Sequence, residues 1–174
     1  TNALAVMTVA RLLDIPFALI GDGMERVEPV FGRAEVIRGA VTVIQDCYKA
    51  NPESMRSALG LLASSETNGR RVAILGSMKE LGSESAAAHA EIVALATEFA
   101  FDSLWLVGDE FAEAVDELGG ETSDTLRAFR YDEWDRLVDT LATIESGDSV
   151  LLKGSRSVAL ERLTPMLMQT GGVA

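Results

Sequence analysis

The sequence predicts a Rossmann-like α/β fold: about six strands, mostly parallel with the first antiparallel, helices on both faces, preceded by a helical remnant of another domain. Three observations predict it. Short runs of β-branched and aliphatic residues alternate with helical patterns from about residue 35 onward, as in parallel strands joined by right-handed crossovers. Three polar or glycine-rich junctions, residues 45–52, 75–82 and 152–156, each follow such a run and lead directly into a helical pattern. Hydrophobic residues make up 48% of the 174 and charged residues 24%, a globular composition able to bury a real core in one domain of ordinary size.

Each element has its own signal. Residues 3–14 carry Leu4, Val6, Met7, Val9, Leu12 and Leu13 and are apolar nearly all round, so this helix is expected to be buried on more than one side. A second short helix follows Pro16 with Phe17, Leu19, Ile20 and Met24, and residues 27–33, with Pro29 and Gly32, read as a linker. Strands 35–38 and 41–45 flank Gly39-Ala40 and form a hairpin. Further strands are read at 71–75, 103–107, 126–130 and 149–152. Between them, Asn51 caps a helix with Pro52 at its first position, where the missing N–H costs nothing. A second helix covers about 83–100, and a third, 110–118, stops at Gly119-Gly120. In the fourth, Asp132 precedes a stripe of Trp134, Leu137, Val138, Leu141 and Ile144. The last helix starts at Ser157, and Pro165 is expected to kink or break it.

Composition excludes several classes of function. A net charge of −12 argues against a nucleic-acid partner, since binding phosphates needs clustered cations. One Cys and one His rule out an internal disulfide and argue against a Cys/His metal site. No apolar run approaches the roughly 18 residues of a membrane span, and nothing reads as a signal peptide, so a cytoplasmic protein without membrane insertion is expected. The chain opens on Thr1 and enters a helical pattern at once, which suggests a piece of a longer protein.

The three junctions are strand-to-helix turns. In an open α/β sheet these emerge at the carboxyl edge of the strands, where ligands bind, so they are expected to face one crevice. At the first, Asp46 is suited to accept hydrogen bonds from vicinal ribose hydroxyls; the alternative is a turn residue at 46 and a plain helix cap at Asn51. At the second, Gly76 permits a tight turn and Gly82 ends it. The phosphate-cradling pattern Gly-x-x-x-x-Gly-Lys-Ser/Thr is absent there and throughout the chain. At the third, Lys153 and Arg156 bracket Gly154-Ser155 before a helix, a receptor for carboxylate or phosphate or else a surface turn. His89 reads as a packing or hydrogen-bonding residue. Cys47 has no neighbouring base to activate it. Trp105 and Trp134 read as core or half-buried residues. The acidic run 109–117 reads as a solvated helix face rather than a metal site. These residues alone lead to a nucleotide- or anion-binding module.

The order of motifs adds a resemblance. Asn2-Ala3-Leu4-Ala5, Gly32-Arg33-Ala34-Glu35, Asp46-Cys47-Tyr48-Lys49-Ala50-Asn51-Pro52-Glu53-Ser54-Met55, Glu80-Leu81-Gly82-Ser83-Glu84-Ser85 with His89, and Lys153-Gly154-Ser155-Arg156 together resemble the carboxyl-terminal part of a Mur ligase, specifically the branch that adds D-alanyl-D-alanine to UDP-N-acetylmuramoyl-tripeptide. The resemblance implies that residues 1–32 are the helical end of a central ATPase domain plus linker and that 33–174 are the Mur ligase C-terminal domain. It implies an ATP-dependent amide ligase of peptidoglycan precursor synthesis, working through an acyl phosphate, with ATP and Mg2+ held mainly by domains upstream. Asn2, Arg33, Asp46, Tyr48 and Asn51 would then contact nucleotide, and Lys153, Ser155 and Arg156 would line the pocket of the incoming amine. It places no catalytic residue and no metal ligand in this chain, which should therefore be inactive alone. The alternatives are another Mur-like amide ligase, of the folylpolyglutamate synthase type, or a non-catalytic nucleotide-binding module. Three positions depart from the family pattern: Gln45 where Asp is common, Lys49 where Asn is usual, and Ser77 where Asp usually follows the glycine. All three are expected at the ligand edge, where they imply altered affinity, a divergent lineage or a changed amine substrate.

Overall fold

A computed structural model describes residues 2–27, 32–119 and 123–169. The chain divides into two compact units, Thr1–Val30 and Phe31–Ala174.

The first unit holds α1 (Asn2–Leu12) and α2 (Phe17–Glu25). Arg11 lies over the Phe17 ring at 5.4 Å and donates to the Ile15 carbonyl at 3.2 Å, closing the turn between the helices. The burial expected for residues 3–14 is not found: Leu4, Val6, Val9, Leu12 and Leu13 are exposed, and Ile20 is the buried apolar residue of the pair. Two helices of 11 and 9 residues have no interior of their own in which to bury a face that is apolar all round.

The second unit is a six-stranded sheet in the order β1-β2-β6-β3-β4-β5. Its strands are β1 (Glu35–Arg38), β2 (Thr42–Asp46), β3 (Arg71–Gly76), β4 (Ser103–Val107), β5 (Leu126–Phe129) and β6 (Ser149–Lys153). The β1–β2 hairpin is antiparallel and every other pairing is parallel. Strand alternation sorts the core into two layers. Ala73, Leu75, Leu104, Leu106 and Leu151 face α3 (Pro52–Ser64), α4 (Ser85–Glu98) and α5 (Asp109–Glu117) through Met55, Leu59, Ile92 and Phe111. Val72, Ile74, Trp105, Val150 and Leu152 face the other way, onto Leu137 of α6 (Trp134–Thr140), Leu167 of α7 (Thr164–Gln169) and Leu163 just before α7. At the amino edge, Arg70 donates to both Asp148 carboxylate oxygens and the backbone N–H groups of Arg70 and Glu145 add two more bonds, tying the loops before β3 and β6. Burial opposes the Asp148 charge, but Arg70 and those amides outweigh it and hold its carboxyl below the usual range.

Two details differ from the sequence reading. Strands β2, β3 and β6 each end one residue further than expected, so that Asp46 and Lys153 sit inside the sheet as register partners. No single helix starts at Ser157. Two 3-10 turns, Arg156–Val158 and Leu160–Leu163, meet at Ala159 in the left-handed region (φ 58°), and α7 begins only at Thr164. Pro165 therefore stands in a first turn, where its missing N–H is an orphan in any case, and begins a helix rather than breaking one.

The carboxyl edge is drawn together by glycine. A Cβ on Gly154 would sit 3.0 Å from the Gly76 Cα and 3.3 Å from its N and O, and a Cβ on Gly76 would meet Val158 at 2.9 Å. Backbone cannot swing aside as a flexible side chain can. Gly154→Ala is expected to destabilise the chain by about 1–3 kcal/mol through this overpacking. Gly60→Ala, in α3 with nothing within 4 Å of the added atom, is expected to stabilise by about 0.5–1 kcal/mol. Chemical denaturation of the two variants checks both signs.

Candidate functional site at the carboxyl edge

Asp46 ends β2 and Lys153 ends β6 as neighbours in parallel register. The Lys153 Nζ lies 3.1 Å from Asp46 Oδ2, 2.5 Å from the Lys49 carbonyl and 3.5 Å from the Asp46 carbonyl. The lysine side chain is 1% exposed and that of Asp46 21%. Next along the chain, the Cys47 Sγ–H donates to the Leu152 carbonyl at 3.3 Å. Burial, with the charges of Glu161 and Asp46, pushes this thiol up to about 12, so it offers no thiolate nucleophile near neutral pH. Tyr48 is anchored by its N–H to the Gly32 carbonyl, and its exposed ring carries the Arg33 guanidinium at 4.6 Å from the centroid. Asn51 caps α3: its Oδ1 accepts from the Ser54 N–H at 2.8 Å, while the Ser54 hydroxyl oxygen accepts from the Asn51 N–H at 3.0 Å.

The second junction is pinned from both ends. The Ser77 N–H donates to the Val107 carbonyl, and the Met78 N–H donates to His89 Nε2 at 3.0 Å. His89 Nδ1 then carries the proton and donates to the Ser85 carbonyl at 2.7 Å, while its ring stands edge-on to Phe111 at 4.7 Å. Burial holds this imidazole below its ordinary pKa and in the neutral form that the Met78 amide requires. Glu80 takes the left-handed conformation (φ 65°), which turns the loop back over the sheet edge.

The third junction docks on the second. The Ser155 N–H donates to the Ser77 carbonyl at 3.3 Å, and the Ser155 Oγ accepts from the Lys79 N–H at 2.9 Å. Between the junctions lies a cleft of about 570 Å³ whose lining includes Tyr48, Lys49, Lys79, Glu80, Ser155 and Arg156. Lys49 and Glu80 pair at 3.5 Å, both well exposed. Arg156 pairs with Glu161 Oε1 at 3.0 Å, and the other Glu161 oxygen is buried without a hydrogen-bond partner among the described residues. Behind Lys79, Glu110 pairs with its ammonium and accepts from the Tyr131 hydroxyl at 2.9 Å; the ammonium also lies 4.8 Å from the Tyr131 ring centroid. Burial opposes the Glu110 charge, yet Lys79, the residue's own N–H, Ser77 and Tyr131 bring its pKa to about 2.

Of the residues singled out in the sequence, Tyr48, Ser155 and Arg156 share the cleft, with Arg33 joined to it through Tyr48. Asp46 and Lys153 pair just behind it, and Asn51 is spent on its helix cap. Asn2 belongs to the other unit, and its side chain lies outside the described residues. Lys79 and Glu80, also in the lining, went unselected although they lie in a junction already flagged. Glu110 and Tyr131 each follow closely on a strand end, so the rule that flagged the three junctions applies to them too. Two departures do not face the ligand edge as expected. Gln45 is 2% exposed; its amide donates to Glu35 and accepts from Thr164 at 2.6 Å. A carboxylate there would face another carboxylate and lack the donor. Ser77 is fully buried under the junctions, and Lys49 is the departure that lines the cleft. A larger groove of about 810 Å³ runs along β5 and α6 with Asp124, Arg127, Arg136 and Asp139 in its wall, but it contains none of the junction residues. Among the described residues there is no group of three His, Cys, Asp or Glu placed to hold a metal ion, and no helix long and apolar enough to cross a membrane.

This geometry, a mixed sheet with a polar cleft built by strand-to-helix turns, meets its counterpart among known proteins. Residues 32–156 match the family described as Mur ligase, glutamate ligase domain, and the chain belongs to the Mur ligase family. It is 43% identical over 167 residues, 95% of its length, to the UDP-N-acetylmuramoyl-tripeptide–D-alanyl-D-alanine ligase of Treponema pallidum, and spans 36% of that protein. A crystal structure of MurF from Acinetobacter baumannii superposes with a TM-score of 0.80 at 31% identity, covering 97% of this chain and 37% of that one. MurF ligase from Thermotoga maritima in complex with ADP gives a TM-score of 0.73 at 26% identity, covering 94% of this chain and 36% of that one. A bifunctional folylpolyglutamate synthase/dihydrofolate synthase from Yersinia pestis shares the fold at a TM-score of 0.55 and 18% identity, covering 87% of this chain and 34% of that one.

The buried neutral His89 sets a pH window. The unfolded chain takes up a proton near pH 6.5 that the folded chain refuses until lower pH, so its contribution to stability is full above about 6.5 and is lost as pH falls below it. Thermal melts between pH 7.5 and 5.5 are expected to show Tm falling in the wild type and a visibly flatter profile in His89→Gln. Equal slopes would refute this role.

Proposed function

We propose that this chain is the C-terminal portion of an ATP-dependent ligase that adds D-alanyl-D-alanine to UDP-N-acetylmuramoyl-tripeptide. The observation that carries the reading is the 43% identity to a ligase of that name across 95% of this chain. In this reading residues 1–32 are the helical end of a central ATPase domain plus linker, and 33–174 form the C-terminal domain. ATP and Mg2+ are held mainly by upstream domains, in keeping with the lack of a phosphate-cradling loop in this sequence. The setting is cytoplasmic, where nucleotide-linked precursors are made.

The chemistry assigned to the whole protein is amide formation. The tripeptide carboxylate takes the γ-phosphoryl group of ATP to give an acyl phosphate and ADP. The dipeptide amine then attacks the acyl carbon, phosphate leaves and the amine loses a proton. Residues of this chain serve by binding. The Arg33–Tyr48 stack offers a flat cationic surface to the nucleotide. Asp46, with part of its carboxylate exposed, fits vicinal ribose hydroxyls, and Asn51 sets the helix beside them. Ser155 and Arg156 receive the dipeptide carboxylate by charge-assisted hydrogen bonds. The polar lining of the cleft, with Lys49, Lys79 and Arg156 around it, favours an anionic substrate of this kind. A folylpolyglutamate synthase-type activity has the weaker support, since that likeness extends to fold alone.

The test is phosphate release by the full-length gene product with ATP, Mg2+ and UDP-muramoyl tripeptide, with and without D-alanyl-D-alanine. Release is expected to depend on the dipeptide; release that ignores it and answers glutamate overturns the reading. Arg156→Ala is expected to raise KM for the dipeptide by at least about tenfold, the loss of one charge-assisted bond of roughly 1.5–3 kcal/mol, with KM for ATP little changed. The 174-residue chain alone is expected to release no phosphate above a heat-killed control.

A further inference from the structure

The resemblance groups Lys153 with the residues that meet the incoming amine. Its surroundings point elsewhere. The side chain is 1% exposed and takes no part in lining the cleft. An ammonium has three donors, and the three acceptors around this one all belong to residues 46–49: Asp46 Oδ2 at 3.1 Å, the Lys49 carbonyl at 2.5 Å and the Asp46 carbonyl at 3.5 Å. β6 is hydrogen-bonded to β2 on one side and β3 on the other, and every one of its residues is buried. The lysine is thus mounted on a fully buried interior strand of the sheet, and its charge is directed at the turn that carries Asp46 and Tyr48.

We propose that Lys153 is a positioning residue for the nucleotide half of the site, acting through Asp46 and the 46–49 backbone, and that it does not touch the incoming amine. This rests on the reading of Asp46 as a nucleotide contact. The pair binds one carboxylate oxygen to the sheet and leaves the remaining exposed surface of Asp46 to the ligand. The Lys49 carbonyl, held by the same ammonium, fixes the turn that presents the Tyr48 ring. Removing either partner frees that turn, while Ser155 and Arg156 keep their own anchorage on the second junction and on Glu161.

The experiment uses the full-length enzyme with Lys153→Met, Asp46→Asn and the double variant. KM for ATP and for D-alanyl-D-alanine are measured beside the Kd of ADP by calorimetry. Each single variant is expected to raise both the KM for ATP and the Kd of ADP at least tenfold, with the dipeptide KM within twofold of wild type. The double variant is expected to be no worse than the worse single one. A Lys153→Met enzyme whose dipeptide KM rises tenfold while nucleotide affinity holds would overturn the proposal. So would unchanged nucleotide affinity, or single effects that multiply in the double variant. If Lys153→Met does not fold, Lys153→Arg, which keeps the buried charge but not the ammonium geometry toward residues 46–49, decides by the same readouts. Wild-type enzyme lacking dipeptide-dependent turnover would defeat the functional reading instead, and the ADP affinities would still judge the pair.

Discussion

Everything at the carboxyl edge depends on two backbones coming into contact where β3 and β6 leave the sheet. Gly154 approaches the Gly76 backbone so closely that it has no room for a methyl group, and Gly76 is closed on its own side by Val158 and Leu160. That approach lets the Ser155 N–H reach the Ser77 carbonyl and the Lys79 N–H reach the Ser155 hydroxyl. With those bonds made, the second and third junctions become two walls of one cleft. Side chains at either glycine would wedge the walls apart, and the polar groups lining them would lose their mutual geometry before any single contact was broken.

Two buried polar groups fix the walls from inside, and each does so by exhausting its hydrogen-bonding capacity. His89 spends one ring nitrogen on Met78 and the other on Ser85, so it is a fastener with no proton to trade. Lys153 spends its donors on the turn after β2. Leaving either fastener unpaired would cost more than its bonds contribute, because the interior offers no water in exchange. The solvent-exposed charges are elsewhere. Lys49 and Glu80 are exposed across the mouth of the cleft, where salt screens their attraction.

Most of the fold was legible because the runs that form β3, β4 and β6 are buried on both faces and therefore read as unbroken apolar stretches. The Asn51-Pro52 start of α3 was legible because capping is local chemistry. What local reading could not supply was partnership across long separations. Lys153 looked like a cation available to a ligand because its partner is 107 residues away in sequence. The Lys79–Glu110–Tyr131 group draws on three separate strand ends. Pro165 begins a helix because the left-handed Ala159 restarts the chain before it, a turn that no residue type at 159 announces. Gln45 and Ser77 were assigned to the ligand edge by their place in the motifs, and burial shows them serving the scaffold.

Cys47 gives the molecule a built-in clock. It is the single thiol in the sequence, sealed between β2 and β6 with its proton held on the Leu152 carbonyl and its ionisation suppressed. An alkylating reagent can reach it only when the packing around it opens, between β2 and β6 or under the Val158, Leu160 and Leu167 layer. The rate at which this 174-residue chain consumes such a reagent therefore reports the opening of this part of the core, with no label to engineer.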